Sequence, residues 1–157
     1  MQQLERPVFE RVERVSYAPN SDARRATFPI SGAGDATIAR QYARFFAERT
    51  GFTRGDQIVI DAVLGEMATN VLSFAGKGEF VFGTENNGGR TGIVIVVRDR
   101  GPGIPDVQGA LVDGYSTSGR PGLGLAASRR LMDSFHVASA PGEGTTITMK
   151  KWRDAPG

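Results

Sequence analysis

Five consecutive β-branched residues, Ile93 to Val97, run straight into Arg98-Asp99-Arg100 and then Gly101-Pro102-Gly103-Ile104-Pro105. No other stretch restricts the chain as much. A run that short and that apolar predicts a buried strand, because β-branched side chains pack well on a pleated surface and lose rotamer freedom in a helix. The strand has to end near Asp99, since the glycines and prolines after it force a tight loop bare of side chains. Further on, Gly122-Leu123-Gly124-Leu125 opens a predicted helix through Met132. A strand ending on a carboxylate, a bare loop and a glycine-lined helix start are parts that can hold a nucleotide. The base would meet the carboxylate, and the phosphates would meet the helix N-terminus.

The rest of the chain falls into order around that stretch. Residues 1 to about 24 alternate charged and apolar (Val8, Phe9, Val12, Val15, Tyr17) before a polar run, and read as a peripheral strand or extension. Ala26 to Ile30 predicts a first strand. Asp35 is expected to cap a helix carrying Ile38, Tyr42, Phe45 and Phe46 at helical spacing, stopped by Gly51. Asp56 is expected to cap a longer helix ending at Gly76. On that helix Val59, Ile60, Val63, Leu64, Met67, Val71 and Phe74 share one arc. Asn70 falls inside this apolar arc and Glu66 at its edge, so both need partners. A satisfied structural Asn beside a solvated Glu accounts for the helix taken alone. Glu79–Thr84 and Thr91–Arg98 predict a hairpin across Glu85 to Arg90. Val107 to Val112 predicts a helical turn or two inside a long Gly/Pro-rich connection. Phe135–Ala140 and Thr145–Trp152 predict a closing hairpin.

Composition excludes several chemistries. With 157 residues the chain is expected to form one domain. No cysteine is present, so disulfides, thiolate metal sites and thiol nucleophiles are excluded. The single histidine, His136, argues against a His-based metal centre and reads as a strand residue. Lys and Arg (19) nearly balance Asp and Glu (17) and are scattered, which gives no support for nucleic acid as a partner. No apolar run approaches the ~18 residues of a membrane span, and the N-terminus does not look like a signal peptide, so a cytoplasmic protein without membrane contact is expected.

Gly122-x-Gly124-x-x-Ala127 matches the dinucleotide fingerprint by letter. The context argues against it, since a polar loop precedes the glycines and a hairpin comes after them. A Walker-type loop is absent, because no lysine follows either glycine pair.

The four motifs taken together resemble another family. Glu66-Met-Ala-Thr-Asn70 resembles the N-box of the GHKL (Bergerat) ATP-binding fold, and Asp99-Arg-Gly101-Pro-Gly103 its first glycine box. Gly122-Leu-Gly124-Leu125 resembles its second, and Gly144-Thr145 the last element of its pocket. Within that group the chain is similar to the small bacterial anti-sigma-type serine/threonine kinases, the switch kinases of stress signalling. The similarity is carried by residues 102–106 (PGIPD), 113–119 (DGYSTSG), 122–125 (GLGL), 129–135 (RRLMDSF) and Lys151-Trp152. The resemblance implies an α+β fold, a mixed, mostly antiparallel sheet covered on one face by about three helices. It divides the chain into an extension (1–25), a kinase domain (26–153) and a tail (154–157).

The resemblance also implies roles. Glu66 would be the catalytic base for a serine or threonine hydroxyl, and Asn70 would ligate Mg²⁺. Asp99 would read the adenine amine, with Gly101 and Gly103 leaving room for the base. Ser116, Thr117, Arg120, Gly122, Leu123, Gly124, Leu125 and Thr145 would complete ATP binding, residues 113–121 acting as a lid. Arg120 reads equally well as a solvated charge. The implied partners are a STAS-domain antagonist as substrate and a PP2C-type phosphatase. An anti-sigma factor holding a sigma factor shares the same pocket and stays open, as does a homodimer. The chain departs from the switch kinases in its N-terminal 25 residues and at Ser73-Phe74, where those kinases carry a basic residue and an aromatic.

Overall fold

The computed structural model describes residues 25–111 and 124–153. In chain order it contains β1 (Ala26–Ile30), α1 (Ala33–Thr50), α2 (Arg54–Asn70) continued by a π turn (Val71–Ala75), β2 (Gly78–Asn87) and β3 (Arg90–Asp99). Then come α3 (Val107–Ala110), α4 (Leu125–Leu131), β4 (Ser134–Ser139) and β5 (Thr145–Trp152). The strands form one sheet in the order β1-β2-β3-β5-β4. All its pairings are antiparallel, so the mixed sheet that was expected has no parallel pair among the described residues.

β3 is the middle strand, as its β-branched run predicts. Ile93, Ile95 and Val97 point to one face and pack with Phe28, Phe80, Phe82, Ile147 and Met149 from the other strands. The helices cover that face through Ile60, Val63, Leu64 and Met67 of α2, Val71 of the π turn, and Ala36, Ala39, Ala43 and Ala47 of α1. The α2 arc is as expected. The α1 stripe differs: alanines are buried, while Ile38 and Phe45 are 39% and 53% exposed. Small side chains let α1 lie close, and Tyr42 then fills the gap, 4.8 Å from the Phe28 ring and 5.6 Å from Phe82.

Both helix starts lie slightly upstream of the expected caps. Asp35 stands in the first turn of α1, where its Oδ2 accepts from the Ser31 N–H (2.8 Å) and hydroxyl (2.9 Å). Thr53, not Asp56, caps α2: its Oγ1 accepts from the Asp56 N–H at 3.1 Å. Gly51 ends α1 with φ 97° and donates to the Glu48 carbonyl. Arg40 clamps the two helices with a two-pronged bond to Asp61, both contacts at 3.0 Å, and this raises the Arg40 pKa. The helical run Arg54–Ala75 is long and apolar enough to cross a membrane by composition, contrary to the expectation from sequence. Here it is the core helix.

The β2–β3 hairpin closes more tightly than expected. Asn87 pairs with Arg90 across Gly88 and Gly89 alone, both at positive φ (60° and 88°) as a type I′ turn requires. Trp152 packs its ring against Gly92 at the sheet end, with the Arg90 guanidinium 5.7 Å from the ring centre. His136 is exposed on β4.

Candidate functional site

A cavity of about 330 Å³ opens where β3 ends. Its walls are apolar: Met67, Val71 and Phe74 come from α2 and its π turn, Val97 and Ile147 from the sheet, Ile104 from the loop. Three polar side chains reach it, Asn70, Asp99 and Thr145. An apolar slot with a few fixed polar groups is what a planar heterocycle needs.

Asp99 stands at this place because the strand stops on it. Its Oδ1 accepts from the Gly101 N–H at 2.8 Å, an Asx turn that locks the carboxylate against its own loop. Oδ2 has no donor among the described residues. Thr145 is the register partner of Asp99 on β5. The neighbouring Gly144 lies so close to the Asp99 carbonyl that a Cβ would collide with it.

The first glycine box serves close approach of the chain to itself. A Cβ at Gly101 would come within 2.7 Å of the Ala75 Cβ, and one at Gly103 would strike the Ala140 carbonyl. The room expected there for a base is thus partly filled by protein, although Gly103 also lines the cavity. The loop is braced further by the Gly142 N–H, which donates to the Pro102 carbonyl at 2.8 Å.

Ser139 is a member that sequence reasoning missed. Its hydroxyl accepts from the Ile104 N–H (2.8 Å) and lies 3.0 Å from the Gly144 carbonyl and 2.8 Å from Thr145 Oγ1. One hydroxyl proton serves only one acceptor. The consistent arrangement has Ser139 donating to Gly144 and accepting from Ile104 and Thr145, which ties the loop, β4 and β5 together beside Asp99. Nothing in the sequence marks a serine at a strand end for this task, since the contact spans 35 residues.

Asn70 ends the α-helical part of α2, and the π turn begins one residue later. A π turn widens the helix and rotates the residues beyond it, and such turns recur at functional sites. Glu66 is exposed one turn earlier, outside the cavity wall but against Gly124. Gly124 caps α4 at φ 71°, and a Cβ there would strike the Glu66 carboxylate. The N-box and the second glycine box therefore touch. Leu125, the first residue of α4, is buried in the cavity wall. Ser116, Thr117, Arg120, Gly122, Leu123 and the 113–121 lid lie outside the described residues. Asn70, Asp99, Gly103, Leu125 and Thr145 line one cavity, while Glu66, Gly101 and Gly124 stand at its borders.

Residues 32–151 match the histidine kinase-like ATPase domain. The serine/threonine-protein kinase RsbT of Bacillus subtilis is 42% identical over 118 residues, 75% of this chain and 89% of that protein. An anti-sigma F factor of Caldanaerobacter subterraneus is 28% identical over 132 residues, 78% of this chain and 89% of its own. Among solved structures, the RsbU and RsbW domains of a Mycobacterium tuberculosis protein share the fold, with a TM-score of 0.54 and 21% identity. That match covers 84% of this chain and 34% of the longer one. The four motifs, the cavity at the end of β3 and these matches agree, and the chain belongs to the histidine kinase-like ATPase domain family, akin to a serine/threonine-protein kinase within it.

Proposed function

We propose that the chain is an ATP-dependent serine/threonine kinase that acts as a partner switch. It phosphorylates a STAS-domain antagonist and then engages a phosphatase of the PP2C class. The observation that carries this reading is the Asp99 carboxylate, fixed by the Gly101 N–H at the end of an apolar slot, with Glu66 against Gly124 beside the cavity-lining Leu125. Asp99 accepts from the adenine amine, a donor that guanine does not present at that position, so ATP is selected over GTP. Thr145, held by Ser139, offers its remaining lone pairs to the base edge or to a water on it. The incoming hydroxyl attacks the γ-phosphorus, ADP leaves, and Glu66 receives the hydroxyl proton.

Among the described residues no group of three or more acidic or histidine side chains could cage a metal. The donor here, the Asn70 amide oxygen, is hard. It fits Mg²⁺, which takes few protein ligands and keeps water and phosphate for the rest. Asn70 would hold the ion, which supplies charge neutralisation on the phosphates.

Titrating Mg-ATP against the chain and its Asp99→Asn variant tests the pocket. The amide keeps the shape but loses a charge-assisted bond, so affinity should fall by about 1.5–3 kcal/mol. Equal dissociation constants would show that Asp99 does not read the base.

A second reading, an anti-sigma factor that sequesters a sigma factor, is supported by the anti-sigma F relative. Incubating the protein with ATP and a STAS-domain protein, then with a sigma factor, separates the two. Phosphate transfer without sigma retention favours the switch kinase, and sigma retention released by the STAS protein favours the anti-sigma reading.

A further inference from the structure

The sheet has a second face, away from the helices, and it is not uniformly wet. Val81, Val94 and Val96 form their own buried cluster there, 0%, 2% and 2% exposed, with no helix residue in it. The register gives two rows across this face. Thr27, Val81, Val96, Thr148 and His136 stand side by side from β1 to β4. Thr27 is 5% exposed, the two valines are buried, Thr148 is half-buried and His136 is open. Gly83, Val94, Lys150 and Ser134 repeat the gradient, buried at β2 and β3 and exposed at β4. Cover is therefore complete on the β1 side and fades toward β4. Arg25, just before β1, is only 3% exposed.

No helix residue joins this cluster, and the chain has three segments outside the described residues. Residues 112–123 join Leu111 to Gly124, both on the helix side of the sheet. Residues 154–157 (Asp-Ala-Pro-Gly) have almost no apolar surface. Residues 1–24 precede Arg25 and β1 in the chain, and β1 is the covered edge. Val8, Val12 and Val15 recur in them at helical spacing, with Phe9 beside Val8. From β1 to β3 is roughly 10 Å, and 24 residues reach up to roughly 80 Å, so the span is easily met. The segment also lies outside the matched family domain, which begins at residue 32.

We propose that the apolar stripe Val8, Phe9, Val12 and Val15 docks on the outer face of its own sheet, over Val81, Val94 and Val96. The segment is then an intramolecular brace behind β3, the strand that presents Asp99. The ion pairs Glu79–Arg98 and Glu85–Lys150 border the valines and offer charged partners to Glu10, Arg11, Glu13 and Arg14 of the stripe's polar side.

The absence of cysteine makes a direct test clean. A nitroxide on full-length Arg11→Cys should erase the methyl signals of Val81, Val94 and Val96. The Ile58 methyl, 62% exposed on α2, should keep its signal. Retained valine signals overturn the proposal. So does their loss when the spin-labelled chain is mixed with a separate isotope-labelled chain, since a second copy would then be the cover. A cycle in the full chain gives an independent reading. Val94→Thr should lower the unfolding midpoint in the parent and do so much less in a Val12→Ser background. Equal shifts in both backgrounds would also overturn it.

Discussion

Asp99 spends one carboxylate oxygen on the Gly101 N–H, and Thr145 spends its hydroxyl proton on Ser139. Both groups are thus held by a neighbour before any ligand arrives. Ser139→Ala removes the acceptor for the Ile104 N–H and leaves the Gly144 carbonyl without its hydroxyl, a loss of about 1–3 kcal/mol in stability. Because those bonds aim the loop, nucleotide affinity should fall with it. Urea unfolding and an ATP titration on the same variant check both. With Glu66 as the proposed base, Glu66→Ala should keep nucleotide affinity within severalfold while phosphotransfer drops by about 10²–10⁴. Unchanged transfer to a STAS partner would reduce Glu66 to a surface carboxylate.

At the scale of elements, the π turn and the Asp99 loop are one packing unit. Ala75 sits 2.7 Å from where a Gly101 Cβ would be, with Asp99 Oδ1 at 3.2 Å from the same point. Gly101→Ala is expected to cost about 1–3 kcal/mol as overpacking and to push Asp99 out of place. Adding Ala75→Gly empties the space from the other side, so the double variant should recover ATP affinity that the single variant loses. No recovery would mean that the loop answers to something other than this contact. The unit also explains why α2 changes pitch after Asn70: an unbroken α-helix would bring residues 71–75 over the sheet with a different rotation.

The whole molecule is held by the aromatic joint of α1 and the sheet. Tyr42 packs between Phe28, Phe46 and Phe82, and burial raises its phenol pKa above the usual value near 10. The folded chain then holds a proton that the unfolded chain releases first. This stability is fully present below about pH 10, the unfolded value, and is lost as pH climbs through the higher folded value. Tyr42→Phe should flatten the alkaline fall in unfolding free energy. Denaturant titrations of both proteins at neutral and alkaline pH read this directly.

Local chemistry made much of the fold legible. The β-branched run of β3, the αL stop at Gly51 and the α2 arc each arise from preferences acting within a few residues. The motif residues Asn70, Asp99, Gly103, Leu125 and Thr145 were picked out by the family resemblance instead, and the fold brings them to one cavity. The features that remained hidden depend on distance in sequence. Alanine rather than Ile38 and Phe45 faces the core from α1, because how closely two elements pack is not written in either one. Ser139 meets Ile104 across 35 residues, and a Cβ at Gly101 would meet Ala75 from the π turn. Periodicity and turn chemistry by themselves determined which segments form, within a few residues at their ends. Only tertiary packing decided which atoms touch at the cavity, because those contacts join segments whose local preferences carry no information about one another.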